Sequence, residues 1–196
     1  MTDHNHYGGD PESLLSVSYP NAQLSDLVLT IENRRRLWNV VMEQRQWDKI
    51  TFHGLQPVRR LLFTGPPGTG KTSTAQALAG ELGVPLYTVR LDLLTTHPKD
   101  EGEAEFRQVL DTLMQTYGVF VFDGVAEFTE ENRWILVMLQ QFLMQDTSKS
   151  VIIVASNRPR LLDGVIFEQC DRIVNFGLPT SDEARAIIEG QLAMFD

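Results

Sequence analysis

Residues 61–72 read LLFTGPPGTGKT, and no other stretch restricts the fold so tightly. An apolar run with the character of a buried strand breaks into a glycine-rich turn, and the turn opens a helix at Lys71. Gly65 and Gly70 bracket four residues and are followed by Lys71 and Thr72, so successive backbone N–H groups can converge on an anion at the positive end of a helix. Larger side chains would block that approach. The pattern predicts a phosphate cradle, with the Lys71 ammonium between the β- and γ-phosphates of a nucleotide and the Thr72 hydroxyl on a bound magnesium ion. An ordinary glycine turn requires neither the Lys-Thr pair nor the strand-to-helix context.

The remaining pattern supplies a frame for this turn. Residues 1–20 carry Gly8, Gly9, Pro11 and Pro20 among small polar side chains, without helical or strand periodicity, and are expected to form a flexible leader. His4 and His6 lie in it with no accompanying set of carboxylates or cysteines, so solvated histidines are expected rather than a metal site. Leu37, Val40, Val41 and Trp47 recur at helical spacing and predict a helix over about residues 31–50, with Arg34, Arg35 and Arg36 on a solvated face. Strands are predicted over 60–64, 86–91, 119–123, 151–155 and 172–176, and helices over 71–82, 103–117 and 130–145. Ser181, Asp182 and Glu183 read as the capped start of a further helix. Strands alternating with helices imply βαβ units and a parallel sheet covered on both faces. Function then gathers at the carboxyl ends of the strands, where the apolar runs end in the cradle, Asp92, Asp123 and Asn157.

Charge and cysteine content narrow the classes of partner. The 26 acidic and 17 basic residues leave a formal charge of −9, which makes sequence-independent binding to nucleic acid an unfavoured function. Cys170 is the only cysteine, so a disulfide framework and a cysteine zinc cluster are excluded and a small buried side chain is expected. No apolar run reaches membrane-spanning length and the opening residues lack signal-peptide character, so a cytoplasmic protein without membrane contact is expected.

With these motifs the chain resembles the AAA+ family of ATPases over about residues 24–195. The cradle GPPGTGKT is similar to the family's phosphate loop, residues 154–163 (VASNRPRLLD) to its sensor-1 strand and the segment just after that strand, and residues 171–179 (DRIVNFGLP) to its fifth strand. The resemblance implies a P-loop NTPase fold of class α/β, a three-layer α/β/α sandwich whose five-stranded parallel sheet has order 5-1-4-3-2. It divides the chain into the leader (1–20), a nucleotide-binding core (21–180) and the start of a helical lid that is otherwise largely absent (181–196). By position, Gly65, Pro66, Pro67, Gly68, Thr69, Gly70, Lys71 and Thr72 would hold the phosphates of ATP, and Asp123 would hold magnesium through its water shell. Asn157 would sense the γ-phosphate and orient the attacking water, and His53, Gly54 and Leu55 would line the adenine pocket.

The sequence also departs from the family. Gly124 stands where a glutamate would polarise the attacking water and Ala126 where a second acid is common, with Glu127 one turn further on. Residues 167–170 (FEQC) carry no arginine to reach into a neighbouring site, and residues 95–100 carry no aromatic for a pore loop. Two functions are compatible with this pattern: ATP hydrolysis coupled to protein remodelling within an oligomer, weak for the chain alone, or a degenerate ATP-binding subunit or switch acting by association. A small-molecule kinase would leave the Asn157 segment without a role. Partners are expected to be proteins or related ATPase subunits, in a mixed oligomer rather than a stable homo-hexamer. Gly124 itself admits two readings, a site where Glu would restore turnover or a site whose backbone requires glycine.

Overall fold

The computed structural model describes residues 13–125, 130–158 and 164–192. His4, His6, most of the leader, Ala126, Glu127 and residues 159–163 with Arg160 lie outside them. The elements run β1 (Leu15–Ser18), α1 (Ile31–Arg45), α2 (Trp47–Phe52), β2 (Arg60–Thr64), α3 (Lys71–Leu82), β3 (Leu86–Arg90) and α4 (Leu91–Leu94). They continue α5 (Lys99–Met114), β4 (Val119–Asp123), α6 (Arg133–Gln145), β5 (Val151–Ser156), α7 (Gly164–Gln169), β6 (Arg172–Asn175) and α8 (Ser181–Leu192).

The sheet order is β1-β3-β4-β5-β2-β6, so the five strands expected from the sequence stand parallel in the expected order. Side chains alternate across the sheet. Leu61, Phe63, Val121, Ile153 and Val174 pack under α1 and α3, while Leu62, Phe120, Phe122, Ile152 and Val154 pack under α5, α6 and α7. The result is a three-layer sandwich whose central strands are apolar on both faces, as a fully covered parallel sheet requires. Among the described residues no helix is long and apolar enough to cross a membrane.

Three expectations are corrected. Residues 15–18, read as part of a leader, form a strand antiparallel to β3, with Leu15 opposite Val89 and Ser18 opposite Leu86. This pairing satisfies the backbone groups of β3, which would otherwise be an open edge. The expected helix over 31–50 is two helices, because Gln46 leaves helical geometry at ψ 21° and no glycine or proline marks the break. Finally α5 begins at Lys99, earlier than expected, behind Pro98 and with Asp100 and Glu101 in its first turn, where carboxylates favour a helix start.

Candidate active site

The cradle is built where β2 hands over to α3. Gly65 follows Thr64 at φ 148°, and its N–H donates to the Ser156 carbonyl of β5 at 3.2 Å. A Cβ on this residue would stand 2.0 Å from the Phe176 carbonyl oxygen, so glycine alone lets the loop turn against the segment after β6. Gly68 and Gly70 adopt φ 77° and 93°, with open space where their Cβ atoms would be. Gly70 is the N-cap of α3, and no side chain caps it, which leaves first-turn amides for an anion. The Thr69 hydroxyl bonds the Pro66 carbonyl and the Thr74 hydroxyl the Gly70 carbonyl, both at 2.8 Å, bracing the turn from within. Pro66, Pro67, Gly68 and Thr72 face solvent.

Lys71 is only 7% exposed, and its ammonium donates to the Gly65 and Pro66 carbonyls at 2.7 and 2.8 Å. Burial lowers its pKa from the ordinary value, and the nearby charge of Asp123 opposes that shift. The cation has therefore already given up most of its water before a phosphate arrives.

Asp123 ends β4 on the α3 side, because Phe120 and Phe122 take the other face. Its Oδ1 accepts the Gly124 N–H at 2.8 Å. Asn157 follows β5 directly and is exposed, and since β5 lies between β2 and β4 it stands between the cradle and Asp123. Residues 65–72, Asp123 and Asn157 are thus gathered along one edge of the sheet.

One sequence-based assignment comes out differently, and one choice that the sequence left open is narrowed. His53, Gly54 and Leu55 precede β2 and lie at the opposite end of the sheet from the cradle, beside the α2 helix whose Asp48 pairs with Lys149 just before β5. They do not line the site. Gly124 has φ 85°, a left-handed conformation that favours glycine, and a Cβ there would sit 3.1 Å from the Asp92 backbone nitrogen. Of the two readings of this position, the backbone requirement is the one the structure supports.

The sequence reading also missed neighbours of the site. On the first turn of α1, the Asn33 side chain donates to the Asn175 carbonyl at the end of β6 at 2.8 Å. This contact brings residues 28–31 to the carboxyl end of the sheet, where Val28, Ile31 and Leu178 are exposed apolar side chains. On the far side, Arg90 of β3 stands opposite Asp123, and its guanidinium donates to Asp92 at 2.9 Å. That hydrogen bond is the first cause of a raised Arg90 pKa; the charges of Asp92 and Asp123 add to the rise and burial opposes it. Strand register sets Arg90 opposite Asp123, and a single sequence carries no direct signal of register.

Residues 61–178 match the model of the ATPase family associated with various cellular activities (AAA). An uncharacterized AAA family ATPase, y4kL, of Sinorhizobium fredii is 32% identical over 169 residues, covering 82% of this chain and 51% of the relative. The ATP-dependent zinc metalloprotease FtsH 3 of Sphaerobacter thermophilus is 28% identical, over 92% of this chain and 40% of its own. The ribosome biogenesis ATPase RIX7 of Saccharomyces cerevisiae is 35% identical over 129 residues, which are 58% of this chain and 15% of its own. The chain spans about half, or less, of the length of these relatives.

Proposed function

This chain belongs to the ATPase family associated with various cellular activities, and from that premise we propose that it binds ATP with magnesium and turns it over slowly alone, in the service of protein remodelling within an oligomeric assembly. The observation that carries the reading is the uncapped N-terminus of α3 behind three positive-φ glycines, with the buried Lys71 ammonium beside it. Backbone amides of residues 65–72 cradle the phosphates, and Lys71 exchanges its carbonyl partners for β- and γ-phosphate oxygens. The exposed Thr72 hydroxyl and the Asp123 carboxylate are the oxygens that would hold magnesium, whose charge would offset that of the phosphates. Val28, Ile31 and Leu178 offer apolar surface for the base, and the exposed Asn157 would orient a water at the γ-phosphate.

Gly124 carries no proton acceptor, so a general base, worth roughly 10² to 10⁴ in rate, would have to come from another residue; slow turnover of the chain alone is expected from the missing arginine. A mixed assembly is supported by how Arg172 is used. Arg172 donates to the Arg36 carbonyl at 3.0 Å and lies 3.7 Å from Glu43, both on α1, so it is committed within its own chain. With no arginine in residues 167–170, a partner subunit would supply the cation that stabilises the transition state, worth roughly 10³ to 10⁵ in turnover. The names of the FtsH and RIX7 relatives, an ATP-dependent protease and a ribosome biogenesis ATPase, support coupling to other macromolecules. Gly124 equally favours a second reading, in which the chain is an ATP-held switch that acts by association. Phosphate release together with light scattering at saturating ATP separates these readings. Slow release from a species smaller than a hexamer is expected, and rapid release from a homo-hexamer would contradict the proposal.

A further inference from the structure

Resting on the ATPase reading above, we propose that Asp92 supplies the carboxylate that position 124 lacks, orienting the attacking water and taking its proton. The first observation is spatial. A Cβ on Gly124 would meet the Asp92 backbone nitrogen at 3.1 Å and the Asp92 Cβ at 3.4 Å, so the Asp92 side chain begins where a side chain at 124 would stand. The second is the register of β3 on β4, which sets Arg90 opposite Asp123 on the α3 side of the sheet. Arg90 holds Asp92 Oδ2 at 2.9 Å, tying that carboxylate to a guanidinium beside the residue assigned to magnesium. The third is access: the Asp92 side chain is 56% exposed and packs into neither core layer.

In the step assigned to it, Asp92 accepts a hydrogen bond from water while the water oxygen forms a bond to the γ-phosphorus. The bond from that phosphorus to the β,γ-bridging oxygen breaks, and its electron pair leaves with ADP. The water proton passes to the Asp92 carboxylate and then to the released phosphate. Arg90 touches no reacting atom here and is a positioning residue that fixes the direction of Asp92.

The test measures steady-state phosphate release, ATP affinity by titration with a fluorescent ATP analogue, and thermal melting on Asp92→Asn, Asp92→Glu and Asp92→Ala. Asp92→Asn and Asp92→Ala are expected to lower kcat about 100-fold or more, with ATP affinity within about threefold of wild type and the melting temperature unchanged. Asp92→Glu, which keeps the carboxylate, recovers at least a tenth of the wild-type rate. Turnover unaltered by Asp92→Ala overturns the assignment, as does a loss that tracks lost affinity or a lowered melting temperature in both Asp92→Asn and Asp92→Ala. A wild-type protein that binds ATP without turnover overturns Asp92 alone. A wild-type protein that does not bind ATP removes the ATPase reading and this proposal with it.

Discussion

At the amino-terminal end of the sheet Arg59 and Asp146 bury their charges against each other, whereas at the carboxyl end the Lys71 ammonium holds only backbone carbonyls and no side chain caps α3. Arg59 forms a buried ion pair with Asp146, which is only 1% exposed, and also donates to the Asp146 carbonyl at 2.6 Å. Asp171 accepts the backbone N–H groups of Arg59 and Arg60, both at 2.9 Å, which fastens β6 to the start of β2. Beside them, burial pushes the Cys170 thiol up to about 12. At the other end Lys71 is 7% exposed but holds only loop carbonyls, α3 is uncapped, and Asn157 and Thr72 stand open. One end is a clasp and the other a receptor, although the same strands build both. The presence of charges near a sheet therefore says little; what separates the clasp from the receptor is whether a charge is buried against an opposite charge of the same chain.

The largest expected effect tests the clasp. Asp146→Ala strands the Arg59 guanidinium in a buried place, and breaking such a pair costs about 3–5 kcal/mol. Urea denaturation should show that loss while ATP affinity of the folded fraction stays within about threefold of wild type; a selective loss of affinity would break the comparison. Next comes Gly124→Ala, which forces a side chain into a left-handed conformation at a cost of about 1–3 kcal/mol. Its stability should fall, and Gly124→Glu should fall at least as far without a gain in phosphate release. A smaller effect concerns Cys170, since the thiolate is the reactive form. Iodoacetamide should label the native protein at pH 8 roughly tenfold or more slowly than the urea-unfolded chain. The smallest is Asp48→Ala, which removes an exposed pair with Lys149 (2.9 Å) and should shift stability by less than about 0.5 kcal/mol. A large shift there would show that the clasp extends onto the surface.

The five-stranded core and the cradle were legible because both are local. An unbroken apolar run such as residues 119–122 ending in Asp123 declares a buried strand, and GPPGTGKT leaves a backbone little choice. The rest depended on contacts remote in sequence. Strand β1 is four residues long and exists because β3 needs an edge partner. Arg90, Asp92 and Gly124 meet through register, and His53 was misplaced because adjacency to β2 in sequence does not tell which end of the strand it joins. The φ of Gly124 is set by the turn after β4 against Asp92, which no residue pattern announces.

Calorimetric titration of ATP with magnesium into wild type and Lys71→Ala tests the central claim most directly, that the carboxyl end of the sheet is an ATP receptor organised on residues 65–72. Truncating one member of a desolvated charge pair costs about 2–5 kcal/mol. Wild type should bind, and Lys71→Ala should bind at least about 30-fold more weakly with its melting temperature little changed. Equal affinity for the two proteins, or no binding by wild type, would contradict the account.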